Sequence, residues 1–303
     1  MPFPLLKDFN ENIIRMMTEG FRAGQELTVM KYPKEEGGHG PHILSVARDA
    51  SSGAFGGYAV TTLPLTHGAK VQATLTPDLM VNSKVTVPVA AVSGLGVEVD
   101  SAAGVQGVMP IGGLDVKCFR EAFTVHASAS PHSGILASLS TGGEALACGG
   151  AAMFAPNGHY GGAMLGATLG GALSAQFTLP AEFAGMPGEA QLSLVAPVNE
   201  RTVLALLFEN SMNCFGKTGK LLGPSSGAVC VGYHFLDAGV FSKALCVAGP
   251  TSEGGSFASG KLSVQKGLPM GQVSACAEVP LFNSSPSAPK ESPSFGISIS
   301  LGA

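Results

Sequence analysis

The residues able to ligate metals or act as nucleophiles are seven histidines (His39, His42, His67, His126, His132, His159, His234) and six cysteines (Cys118, Cys148, Cys214, Cys230, Cys246, Cys276). Their spacing assembles no chemistry. The histidines contain neither H-E-x-x-H nor an i, i+4 pair, so no zinc-binding helix face is expected. The cysteines form no C-x-x-C pair and lie far apart, which fits free thiols behaving as small apolar residues. Gly216-Lys217-Thr218 has the ending of a phosphate-binding loop, but Ser211 stands where its upstream glycine is needed. The segment is expected to be a turn, and no catalytic residue, metal or cofactor is expected in the chain.

A second group of polar residues is more informative, because it alternates with apolar ones. Lys70, Gln72, Thr74 and Thr76 interleave with Val71, Ala73 and Leu75. Lys84 sits between Val81, Val85 and Val87; Glu98 and Asp100 flank Val99; Lys261 and Ser263 flank Leu262; Phe295, Ile297, Ile299 and Leu301 alternate with glycine and serine. A period of two puts one set on each face of a strand. Lys70, Gln72, Lys84, Glu98, Asp100 and Lys261 are therefore expected to line a shared polar space, while their neighbours face an apolar one.

Composition identifies the apolar space. Only 13% of residues are charged and mean hydropathy is +0.31, against about 25% charge in a typical soluble domain. A helical membrane protein would need about 18 or more consecutive apolar residues. No such run occurs, and 42 glycines and 20 prolines oppose long helices. A chain of this kind satisfies its backbone in lipid only as a closed barrel. The net charge of −4 disfavours nucleic acid as a partner. A soluble glycine-rich solenoid would show repeats of fixed period, and none holds. No basic stretch followed by an apolar one opens the sequence, so an organelle barrel made in the cytosol is expected rather than a bacterial one.

One amphipathic helix is expected over residues 1–20, with Leu5, Leu6, Phe9, Ile13, Ile14 and Met17 on its apolar face and Gly20 as its C-cap. Residues 25–303 read as strands and turns of a single barrel domain. Turns are expected at Pro33–Gly40, Ser51–Gly53, Pro77–Asp78, Gly112–Gly113, Ser130–Gly134, Pro156–Gly158, Gly170–Gly171, Asn199–Glu200, Gly223–Ser226 and Pro250–Gly255, among others. The spacing gives about 19 or 20 strands, and Met212–Leu222 leaves the number open.

The segment Ser294-Phe295-Gly296-Ile297-Ser298-Ile299-Ser300-Leu301 fits polar-x-Gly-x-x-hydrophobic-x-hydrophobic. It resembles the sorting signal of mitochondrial outer-membrane barrels, which implies that role for Ser294, Gly296, Ile299 and Leu301. The layout of helix, glycine, strands and terminal signal resembles the mitochondrial porin superfamily, which includes the TOM import channel and VDAC. Glu19-Gly20-Phe21-Arg22 before Leu27-Thr28-Val29, Pro41–Val46, Gly56–Ala59, Asp78–Val85, Gly232-Tyr233 and Lys266–Pro269 are similar to segments of the import channel. Tyr233, Asp237 and Phe241-Ser242-Lys243 partly fit the VDAC signature, although Ala244-Leu245 stand where its asparagine is expected.

The resemblance implies an all-β transmembrane barrel of about 19 mostly antiparallel strands, with the N-terminal helix in or near the lumen. It implies residence in the mitochondrial outer membrane, and passage either of unfolded precursor polypeptides or, as in VDAC, of metabolites and ions. Partners would be membrane lipid, small helical translocase subunits and receptors, and, for some pores, further copies of the chain. The acidic balance favours import of positively charged presequences.

Overall fold

The computed structural model describes the chain apart from residues 1–8, 10, 20, 22–23, 32–40, 50–51, 78–79, 90–94, 105–110, 132–133, 144, 181–187, 213–221, 252–254, 285–292 and 303. One short helix, α1 (Glu11–Thr18), precedes nineteen strands. These are β1 (Gly24–Lys31), β2 (His42–Arg48), β3 (Phe55–Pro64), β4 (Lys70–Leu75), β5 (Met80–Pro88), β6 (Leu95–Gly104), β7 (Ile111–Phe119), β8 (Phe123–Ser130), β9 (Gly134–Gly142) and β10 (Leu146–Phe154). They continue with β11 (Tyr160–Leu169), β12 (Leu173–Pro180), β13 (Gly188–Pro197), β14 (Thr202–Met212), β15 (Leu222–Phe235), β16 (Val240–Pro250), β17 (Ser256–Leu268), β18 (Gly271–Asn283) and β19 (Ser294–Gly302).

Each strand pairs antiparallel with its chain neighbours, and β1 closes the ring by pairing in parallel with β19. The parallel seam follows from arithmetic. Successive strands alternate in direction, so an odd number brings the first and last together pointing the same way. Closure leaves no sheet edge, which is the condition for a strand structure surrounded by lipid.

Register keeps the two faces separate all the way round. Glu26 faces Ser298 across the seam, Ser298 faces Ser274, and Glu278 faces Lys261. Glu209 faces Gln191, His126 faces Lys117, and Gln72 faces Lys84. On the other face Val29 lies between Leu301 and Leu44, and Leu206 lies between Leu194 and Val229. That second face is a continuous exposed apolar surface including Phe55, Leu139, Leu165, Phe208, Leu262, Leu281 and Phe295. An apolar surface of this extent marks contact with hydrocarbon. Outward edge-to-face pairs stand at opposite ends of the wall: Phe154 with Tyr160, centroids 6.0 Å apart, and Tyr233 with Phe235, 4.8 Å apart. Such rings mark membrane interfaces.

The helix identifies the inside. Phe9 packs on Ala147 and Ala151 of β10. Ile13, Met17 and Phe21 pack on Ala205 of β14, Ala228 and Cys230 of β15, and Leu245 of β16. So short a segment reaches from β10 to β16 only on the concave side, so the polar face is the lumen and α1 lies within it.

Most expected turns fall between strands. Two do not. Gly112–Gly113 lies in β7 and Gly223–Ser226 in β15. Both are extensions beyond one neighbour: β7 meets β8 only from Leu114, and β15 meets β16 only from Gly227. Pro224 sits where the β14–β15 register slips between Asn210 and Met212, so its missing N–H breaks no regular ladder. The described helix is also shorter than residues 1–20; Leu5, Leu6 and Gly20 lie outside the described residues. Ile14, expected on the packed face, is 50% exposed. Ile13 and Met17 are one turn apart and share a face, whereas residue 14 is rotated off it by about 100°.

Candidate functional site

The candidate site is the lumen wall and the helix docked on it. The seven acidic positions of the strands (Glu26, Glu98, Asp100, Asp115, Glu189, Glu209, Glu278) all fall on the lumen face by register. Lys70, Lys84, Lys117, Lys243 and Lys261 share it. The remaining strand cations, Lys31, Arg48 and Lys266, fall on the outer face towards strand ends. Charge thus enters the membrane wall only where the lumen hydrates it.

Of the residues expected to line the pore, Lys70, Gln72, Lys84 and Lys261 are on the lumen face. Positions 98 and 100 are also there, opposite Thr86 and Lys84, but the side chains of Glu98 and Asp100 lie outside the described residues. The six do not form one cluster. Lys70, Gln72 and Lys84 occupy neighbouring β4 and β5 with positions 98 and 100 beside them on β6, whereas Lys261 is on β17, where its Nζ pairs with Glu278 Oε1 at 2.9 Å. His126 Nε2 lies 2.8 Å from Asp115 Oδ1, and Gln191 Nε2 donates to Glu209 Oε1 at 2.7 Å.

The helix is fastened at four places. Phe9 covers β10. Ile13, buried to 2% exposure, and Met17 cover the alanine and cysteine patch of β14–β16. At the helix C-terminus Lys243 Nζ donates to the Met16 carbonyl at 3.1 Å and to the Glu19 carbonyl, and lies 5.0 Å from the Phe21 ring centroid. Cations at a helix C-terminus satisfy its orphan carbonyls and oppose its dipole. Cys230 Sγ donates to the same Met16 carbonyl at 3.6 Å. Gly232 makes room for the helix: a Cβ there would stand 2.5 Å from Met16 Cε. Asn12 Nδ2 donates to the Gly171 carbonyl in the β11–β12 turn at 3.3 Å. On the exposed side Arg15 Nε pairs with Glu19 Oε1 at 2.9 Å; this hydrogen bond, aided by the carboxylate's charge, raises the arginine pKa further.

Residue spacing did not single out Lys243, Cys230 or Gly232 for this role. The signal was present as a failure of alternation. Leu204–Phe208, Ala228–Val231 and Ala244–Val247 are apolar on both faces, because lipid takes one side and α1 the other. None of the five described cysteines is in a disulfide; Cys214 lies outside the described residues.

The terminal signal residues occupy β19. Ser294 and Gly296 are on the lumen face, and Ile299 and Leu301 are on the apolar face opposite Leu27 and Val29. Among the described residues no helix is long and apolar enough to cross a membrane.

Fold and lumen together define a porin-like barrel channel. Barrels of about 16–18 strands already enclose an aqueous channel, and this one has nineteen. No protein-family model matches the chain, and no curated protein matches it either.

Proposed function

We propose that this chain is a pore of the mitochondrial outer membrane, related to the mitochondrial porin superfamily, through which small hydrophilic solutes and ions diffuse. The observation that carries this reading is the occupancy of the apolar lumen strip. Ala205, Ala228, Cys230 and Leu245 are the surface on which an apolar polypeptide face could dock, and α1 already covers them. The remaining wall carries charges of both signs, hydroxyls and amides, which suit hydrated solutes in transit rather than retention of a chain.

Charge sets the selectivity. With Lys243 engaged by the helix, four strand lysines face seven acidic positions across the lumen. A weak preference for cations follows. In planar bilayers under a KCl gradient the reversal potential should take the cation sign. Glu209→Gln with Glu278→Gln should move it towards chloride, with a permeability ratio changed about twofold. An unchanged potential would mean that these carboxylates do not face the permeation path.

A second reading, a protein-conducting channel for precursor polypeptides with small helical subunits and receptors as partners, draws on the acidic positions 98, 100 and 115, which neighbour one another on β6 and β7. Liposome swelling and peptide block separate the two. The solute pore admits neutral sugars and nucleotides and is indifferent to basic amphipathic peptides. Exclusion of those solutes, together with block and passage of such peptides, would replace it with the import reading.

A further inference from the structure

The outer face of β1–β5 is not uniformly smooth. Val29, Leu44, Leu75 and Val81 stand around Ala59 and Ala73, leaving a depression of about 480 Å³, within the ~300–1,000 Å³ range of small-molecule sites. All six side chains belong to the apolar face, so the depression opens towards the acyl region of the membrane. Its mouth is polar. Lys31 and His42 pair directly across β1 and β2, and His42 Nδ1 lies 2.7 Å from Thr61 Oγ1 on β3. With Nδ1 engaged, Nε2 is the ring nitrogen that can reach a ligand. Lys31 ends β1, at the height where a strand leaves hydrocarbon, and among the described residues no carboxylate lines the depression.

We propose that this depression is a binding site for an anionic glycerophospholipid, its phosphate held by Lys31 and His42 with Thr61 orienting the imidazole, and one acyl chain lying over Ala59 and Ala73. Three features select this occupant. The surrounding solvent is lipid. The floor is built from two alanines, the smallest side chains lining the depression, and takes a flexible chain. The mouth offers a cation and a second donor to a phosphate, whereas a zwitterionic headgroup would bring its own cation against Lys31. The site is independent of what the lumen carries.

Native mass spectrometry of the detergent-solubilised full chain tests this, with cardiolipin and phosphatidylinositol titrated against phosphatidylcholine. One anionic lipid should stay bound under activation that strips phosphatidylcholine. Lys31→Ala with His42→Ala should lower its retention about fivefold or more, and Ala59→Phe, which fills the floor, should do the same with the mouth intact. Lys266→Ala, an outward cation on β17 away from this depression, should change nothing. Thr61→Val, which removes only the hydroxyl beside His42, gives a smaller loss and serves if Ala59→Phe impairs the barrel; heat-modifiable migration on gels reports that. Equal retention of both lipid classes, unchanged retention in the mouth and floor variants, or an equal loss on Lys266→Ala would overturn the proposal. So would a co-purified polypeptide cross-linking from Leu44.

Discussion

Ile13→Asp frees the N-terminal helix from the lumen wall. Ile13 is buried to 2% exposure against Ala205, Cys230 and Leu245. Truncating a packed isoleucine costs ~2–5 kcal/mol, and a carboxylate in the same place adds the penalty of an unpaired buried charge. Each 1.4 kcal/mol is about tenfold in an equilibrium, so the docking equilibrium constant falls at least about 30-fold. The barrel itself stays closed, because its ring of backbone hydrogen bonds does not pass through α1. Two measurements follow the change. A spin label at Thr18 passes from restricted to mobile, and single-channel conductance rises as a body about 10 Å across leaves the wall. Lys243→Met is the milder companion. It preserves bulk but strands the Met16 and Glu19 carbonyls, a loss of about 1–3 kcal/mol, giving partial release. A label that stays restricted in Ile13→Asp would show that the helix is held by something other than this patch.

Gly271→Val prevents the last hairpin from zipping. Gly271 opens β18 at φ +151°, a conformation L residues rarely adopt. A Cβ there would lie 1.9 Å from the Ser300 carbonyl oxygen and 2.9 Å from the Leu301 Cα, both backbone atoms of β19. Neither can move without breaking the ladder that joins Gly271 to Leu301 and Gln272 to Ser300. Backbone strain alone is of order 1–3 kcal/mol, and the clash adds to it. Since the ring closes only when β19 pairs with both β18 and β1, the defect falls on closure itself. The yield of heat-modifiable, protease-resistant barrel should fall about tenfold or more. Gly267→Ala is the control, because nothing lies within 4 Å of a Cβ at Gly267 and the turn beside it is unaltered. Equal yields from the two variants would mean that the β18–β19 pair is not needed for closure.

How far the sequence reveals the fold depends on what each strand touches. β4, β5, β17 and β19 have water on one side and lipid on the other, so Lys70, Gln72, Lys84 and Lys261 could be assigned to the lumen from alternation alone. β14 to β16 touch lipid outside and α1 inside, so polarity alternation vanishes there, and parity could not assign Lys243, Cys230 and Gly232 to the helix; only the loss of alternation marks the patch. The glycine pair at 112–113 and the Gly-Pro-Ser-Ser run at 223–226 read as turns because the local preference of those residues is for turns. They are strands because a long neighbour on one side supplies a ladder for them.

By itself, the sequence pointed to a closed barrel. An apolar, glycine-rich polypeptide with no helical span and a period of two has no other way to satisfy its peptide groups in hydrocarbon. Where polarity alternates it also placed Lys70, Gln72, Lys84 and Lys261 on the lumen face, since parity along a strand is a local property. Tertiary structure alone decided the rest. The count of nineteen, and with it the parallel seam, follows from long-range pairing. The seating of α1 on β10 and β14–β16 follows from residues well over a hundred positions apart meeting across a closed ring. Contacts of that range depend on the curvature and register of the whole wall, which no local pattern of residues encodes.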